Sequence, residues 1–184
     1  MSVPADVYFS AALTVSSWVK VYSCRADSHL FDFGDVGLPN ITNTVRFKLS
    51  TGDTSCMPSF SVFSNQTTEQ TVKSITPLRL GVWTYLAATV DTNTMLMYID
   101  GVVVANGLLA QNGGPINCTR AYAHFGSSQR VNDSAVADAA FDEIRFYDRA
   151  LSYDEIVGDM TTPTLFTISS INGSFSMISI FEIS

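Results

Sequence analysis

The stretch from Trp83 to Gly107 constrains the fold more than any other part of the chain. It reads WTYLAATV, then DTNT, then MLMYI, then DG, then VVVANG. Asp100-Gly101 separates two β-prone runs by two residues, and Asp-Gly accepts the positive φ angles of the tight turn whose twist suits antiparallel strands. Asp91-Thr92-Asn93 supplies a second turn. Trp83–Val90, Met95–Ile99 and Val102–Asn106 therefore read as three consecutive antiparallel strands. Such a unit hides one face at most and needs a second layer to bury it.

The rest of the sequence supplies that layer. Leu13–Tyr22 alternates, with Leu13, Val15, Ser17, Val19 and Val21 on one side and Thr14, Ser16, Trp18 and Lys20 on the other. His29–Phe33, Thr44–Leu49, Ser59–Phe63, Gln70–Ile75, Tyr122–Phe125 and Phe141–Tyr147 are further short strands, separated by Gly-, Asn- and Ser-rich turns. One helix is expected, over residues 152–160. Ser152 is its N-cap and Glu155, three residues on, completes a capping box. The chain has 184 residues, 46% of them apolar, which suits one packed domain. The expected class is all-β: a two-sheet antiparallel jelly-roll sandwich over residues 1–160 with one short helix. Residues 161–184 form an apolar tail with one charge, Glu182, and Asn172-Gly173 could turn it into a hairpin.

Charge narrows the partners. The formal net charge is −7 and the ten basic residues are scattered, which argues against nucleic acid, whose binding needs clustered Lys and Arg. No run of about 18 apolar residues occurs, so no membrane span is expected. Met1–Ser10 has neither a basic start nor an apolar run. Asn40, Asn65, Asn117, Asn132 and Asn172 each open an Asn-x-Ser/Thr sequon, five of the nine asparagines. They are glycosylation sites if the chain passes through a secretory pathway that adds glycans. The three cysteines, Cys24, Cys56 and Cys118, allow one bridge and one leftover thiol outside the cell, or three unpaired thiols inside it.

Four stretches resemble a known family: LTVSSWVK (Leu13–Lys20), FDFGD (Phe31–Asp35), GVWTYLAATVDTNTMLMYIDGVVVANG (Gly81–Gly107) and FDEIRFYDRALSYDEI (Phe141–Ile156). Together they resemble a laminin-G-like domain of the concanavalin A-like lectin/glucanase superfamily, near its pentraxin-like branch. The resemblance runs from about Leu13 to Met160. Only Met1–Phe9 is left for the strand that usually opens such domains, and the tail has no counterpart in them.

Each chemistry the resemblance implies meets a residue test. Glucanases of the superfamily use paired carboxylates on one strand, and retaining hydrolysis needs two of them roughly 5 Å apart. The four glutamates (Glu69, Glu143, Glu155 and Glu182) form no such motif. Asp142 and Glu143 are adjacent, so on a regular strand they face opposite ways. His29 and His124 sit in no nucleophile or zinc pattern, and no catalytic residues are assigned. The resemblance implies Asp142 as a ligand for a structural calcium, and the loop opening at Asp35 offers a second set. For sugar stacking, Tyr22, Tyr122 and Tyr147 are the candidates, while Trp18 and Trp83 sit where the family buries its tryptophans. If consecutive strands alternate in direction, the loops holding Cys24 and Cys56 share one end of the sandwich, which favours that pair for a disulfide and leaves Cys118 alone.

These readings converge on a non-catalytic extracellular or cell-surface module that binds glycan or protein through its loops. The short N-terminus, apolar tail and odd cysteine also fit a subunit of an extracellular filament or coat, in which the tail completes a neighbour's sheet.

Overall fold

The structure, a computed structural model, describes residues 2, 4–6, 8, 11–35, 43–51, 55–64, 68–109, 114–115, 117–128 and 136–163. The tail and the sequons at Asn40, Asn65, Asn132 and Asn172 lie outside them. Ten strands and one helix are present among the described residues: β1 (Leu13–Ser23), β2 (His29–Gly34), β3 (Val45–Lys48), β4 (Ser59–Ser64), β5 (Thr68–Lys73), β6 (Trp83–Val90), β7 (Thr94–Ile99), β8 (Val102–Leu108), β9 (Tyr122–Phe125), β10 (Asp138–Tyr147) and α1 (Tyr153–Thr161). They form two antiparallel five-stranded sheets, in the orders β10-β1-β6-β7-β8 and β5-β4-β3-β2-β9. This is the jelly-roll sandwich that the alternation implies.

Inward residues of both sheets close one core. Val15, Val19, Leu86, Ala88, Val90, Met95 and Met97 meet Leu30, Phe31, Phe33, Val45, Phe47, Phe60 and Val62. Phe31, Phe33, Phe125 and Phe146 pack ring against ring, with Phe33 stacked on Phe146 at 5.4 Å between centroids. The β6–β7 turn is fixed by Asp91, whose Oδ1 accepts from the backbone N–H groups of Asn93 at 2.7 Å and Thr94 at 2.8 Å. The β7–β8 turn has φ of 49° at Asp100 and 76° at Gly101, both left-handed, as Asp-Gly permits.

Several boundaries differ from the sequence expectation. β5 begins and ends earlier than Gln70–Ile75, because Ile75 is fully outside, 86% exposed. β10 starts at Asp138, three residues before Phe141. The helix is shifted by one residue, with the expected capping box at Ser152 and Glu155. No regular strand opens the chain among the described residues; Ser2 makes a single bridge to His124 in β9, and Asp6 one to Arg120 just before it. A disulfide joins Cys24 to Cys56, and Cys118 is free and half-buried. Burial raises the Cys118 thiol pKa above its ordinary value.

Helix α1 lies on the outer face of the β10-β1-β6-β7-β8 sheet. Ile156 and Leu151 bury against Tyr85, Ala87 and Tyr98, with Trp18, Leu96, Tyr147 and Met160 around them. The outer face of this sheet is therefore apolar in its middle, and the helix covers that middle only.

Candidate functional site

Beside the C-terminal end of α1 the described residues of this face form an open groove of about 310 Å³. Its walls come from three adjacent strands. Asp142 on β10, Trp18 on β1 and Tyr85 on β6 are register partners, so they form one row across the sheet. Trp83 stands two residues before Tyr85 on β6, on the same face. Trp18 lies edge-on to Tyr85, 5.6 Å between centroids. The groove is lined by Trp18 and Trp83, by Asp142 and Glu143, and at the helix end by Met160 and Pro163. Its volume is at the low end of the roughly 300–1,000 Å³ of ligand pockets.

Two findings here overturn sequence expectations. Trp83 is not buried: it is 38% exposed. It is the first residue of β6, at the sheet end, where little packs over it. Asp142 and Glu143 do not face opposite ways either. Between the pairs Ser16–Arg145 and Trp18–Asp142, β1 advances two residues and β10 advances three. That extra residue is a β-bulge, which re-aims side chains. Glu143 takes a left-handed φ of 50° in it, and both carboxylates line the groove. The sequence carries the signal. Phe141, Ile144 and Phe146 all pack on the core, so the inward spacing is three and then two.

The bulge is held from both sides. Asp142 Oδ1 accepts from the Glu143 N–H at 2.8 Å, and the Asp142 carbonyl accepts from Ser17 Oγ at 3.0 Å. Glu143 is paired with Arg145 at 2.7 Å. Arg145 reaches inward as well, to Asp159 Oδ1 at 2.7 Å and to the Thr162 carbonyl at 2.6 Å. Asp159, on α1, is the hub. Ser16 Oγ at 2.5 Å and Tyr85 Oη at 2.6 Å donate to its Oδ2, and Tyr147 Oη donates to its Oδ1. Burial pushes the Asp159 carboxyl pKa up, but the donated hydrogen bonds outweigh it and hold it below the ordinary carboxylate value. Burial, reinforced by the bond to Asp159, pushes Tyr85 and Tyr147 far up. The sequence reading missed Asp159, which looks like any acid on a surface helix.

The other candidates are dispersed. Tyr22 is exposed, with Lys20 Nζ 5.7 Å from its ring centroid, Tyr122 lies in β9 of the other sheet, and Tyr147 spends its hydroxyl on Asp159. Asp35 follows β2 and accepts from Asn43 Nδ2 at 3.0 Å, in the opposite sheet from Asp142. Among the described residues no group of three or more His, Cys, Asp or Glu could hold a metal ion, and the loop that follows Asp35 lies outside the described residues. Asn117 is exposed, outside any strand or helix. Among the described residues no helix is long and apolar enough to cross a membrane.

Comparison with known proteins agrees with this architecture. The family model described as the concanavalin A-like lectin/glucanases superfamily, of laminin-G type, matches residues 1–157. The chain belongs to this laminin-G-like family. Its fold resembles domain 4 of an extracellular arabinanase from Geobacillus stearothermophilus, in complex with arabinotriose, at TM-score 0.66 and 20% identity, covering 87% of this chain and 71% of that one. It also resembles the CBM40 of the Ruminococcus gnavus IT-sialidase bound to α2,3-sialyllactose, at TM-score 0.65 and 14% identity, covering 86% and 94%. A heptameric pentraxin from Limulus polyphemus resembles it at TM-score 0.59 and 12% identity, covering 98% and 82%. At such identities these likenesses concern the fold. No curated protein matches the chain in sequence.

Proposed function

We propose that this laminin-G-like domain is a non-catalytic extracellular module that recognises glycan in the groove between Trp83 and the Asp142–Glu143 bulge. The observation that carries this reading is a half-exposed indole at the rim of a groove whose opposite wall is a pair of carboxylates. A sugar ring offers an apolar C–H face, which packs on an indole, and an edge of hydroxyls, which donate charge-assisted hydrogen bonds to carboxylates. Two structurally similar domains were solved with arabinotriose and sialyllactose, which supports the sugar class without naming the sugar. The non-catalytic part rests on how the two acids are used. A glycosidase needs one carboxyl free to give a proton and another free to attack or to activate water. Glu143 is ion-paired and Asp142 spends an oxygen on a backbone amide. The Cys24–Cys56 bridge and the exposed sequon Asn117 support an oxidising, secreted setting.

The test is calorimetric titration of a panel of neutral and charged oligosaccharides. Trp83→Ala should weaken the bound member at least about tenfold, or 1.4 kcal/mol, with an unchanged circular dichroism spectrum. Failure of every panel member to bind, or binding indifferent to Trp83→Ala and Asp142→Asn, overturns the proposal.

A further inference from the structure

We infer that the site continues past Trp83 along β1 to Tyr22, so that its ligand is a linear oligosaccharide of at least three sugar residues; this rests on the glycan reading above. The outward side chains of β1 set the line. Val19 and Val21 face the core, so Trp18, Lys20 and Tyr22 share the opposite face. The neighbouring strand β6 continues the same rows, with Tyr85 beside Trp18 and Trp83 beside Lys20. The ladder runs one step further, where the Gly81 N–H donates to the Val21 carbonyl at 2.7 Å. Three rows therefore succeed one another along β1: Trp18 with Tyr85, Lys20 with Trp83, and Tyr22 beyond the start of β6. The groove between Trp83 and the Asp142–Glu143 bulge occupies the first two.

Residues two apart on a strand stand about 7 Å from each other, so the line from Trp18 to Tyr22 spans about 14 Å. That is longer than one sugar ring. At its far end β1 advances two residues, from Val21 to Ser23, while β10 advances one, from Ala139 to Asp138. This is a bulge of the kind that re-aims side chains. The Tyr22 ring keeps to the line all the same, because Lys20 Nζ lies 5.7 Å from its centroid. Tyr22 is 49% exposed, more than Trp83, so it offers a ring face to a ligand. An oligosaccharide laid along β1 would pack one C–H face on Trp83 and a further one on Tyr22. The Lys20 ammonium, between the two rings, is a donor for the hydroxyls of the sugar that bridges them.

The experiment titrates the full chain by calorimetry with three size series, each from monomer to pentamer: β-1,4-linked glucose, β-1,4-linked N-acetylglucosamine and α-1,5-linked arabinose. In a series that binds, affinity should rise at least as far as the trimer. The trimer should exceed the dimer by about threefold or more, the gain of one further stacked ring. Tyr22→Ala should remove that gain and leave the dimer, seated between the acids and Trp83, unchanged. Tyr22→Phe keeps the ring and should keep the gain. Trp83→Ala should weaken every length. Tyr153→Ala, an exposed ring at the far end of α1 from the groove, should change nothing. Affinity that is flat with length, or a length gain that survives Tyr22→Ala, overturns the extended site while leaving a Trp83-dependent glycan site standing. So does a gain that follows Tyr153 instead of Tyr22. Failure of all three series to bind at any length overturns the glycan reading itself, and the extended site with it.

Discussion

Removing the Asp159 carboxylate should cost more stability than any other single change on the outer face of the β10-β1-β6-β7-β8 sheet. Four side chains donate to it: Ser16, Tyr85, Tyr147 and Arg145. In Asp159→Ala the hydroxyls of Ser16 and Tyr85 are left buried without an acceptor, at about 1 kcal/mol or more each. Arg145 loses the Asp159 carboxylate but keeps Glu143 and the Thr162 carbonyl, so its share stays near the low end of the charged range, about 1.5 kcal/mol. The sum, about 4 kcal/mol, agrees with the roughly 3–5 kcal/mol for stripping a partner from a buried ion pair. A domain has about 5–15 kcal/mol in total, so Asp159→Ala can be close to unfolding. Asp159→Asn, which keeps one carbonyl oxygen, provides the measurable case at about half the cost. Urea unfolding gives both numbers from the midpoint at constant slope. The sign with pH follows from the lowered carboxyl pKa in the fold. Its contribution is complete above the unfolded value, near pH 4, and is lost as the pH falls through the lower folded value. The gap between wild type and Asp159→Asn should therefore close in acid and stay constant in mild alkali. A loss under about 1 kcal/mol for Asp159→Ala, or a gap that does not narrow as the pH falls below about 4, would refute the hub.

Three further outcomes follow from the same structure. Tyr85 and Tyr147 have raised pKa values in the fold, so the stability they add is present below an ordinary tyrosine pKa, near 10, and lost as the pH rises through their folded values; in an alkaline absorbance titration both should ionise only as the protein unfolds. Reducing the Cys24–Cys56 bridge, which spans 32 residues, should lower stability by about 3–4 kcal/mol by chain entropy, read as a drop in the urea midpoint that Cys118→Ser does not cause. Among the described residues β8 is an edge strand, with no charge from Val102 to Leu108, and Leu108 is 84% exposed; such edges invite pairing, so light scattering should show association growing with concentration, reduced by Val103→Lys and by deletion of residues 164–184 if the tail takes part, whereas a monodisperse monomer throughout removes the assembly reading.

The layers of this fold are legible in the sequence because a buried face imposes a period of two. β1 and β3 show it, with Leu13, Val15, Val19 and Val21 in one and Val45 and Phe47 in the other facing the core, and Asp100-Gly101 fixes the register between β7 and β8. The capping box of α1 is legible because both of its residues are local. The site is less legible, for physical reasons that differ residue by residue. Glu143 holds a left-handed φ without being Gly or Asn, so no residue type announces the bulge. Only the three-residue step from Phe141 to Ile144 does. Trp83 has the composition of a core residue, and its exposure comes from its place at the end of a strand. Asp159 is 143 residues from Ser16 and 74 from Tyr85, and nothing local says that a helix acid will meet them.

The bulge also ties the site to the stability of the fold. A bulge costs ladder hydrogen bonds and, with Glu143 at positive φ, roughly 1 kcal/mol or more of backbone strain. It persists because Arg145, the residue after Ile144, is pinned to Asp159 and the end of α1, and pins Glu143 in turn. Without that anchor, β10 could relax to a regular strand in which Asp142 and Glu143 face opposite ways, and the groove would lose one of its two acids. The helix therefore does more than cover Tyr85 and Tyr98. Its last turn fixes the conformation that makes two adjacent acids share a face. Asp159→Asn should then weaken ligand binding as well as stability, though Asp159 does not line the groove. A variant that lost stability and kept full affinity would separate the two roles and show that the bulge holds itself.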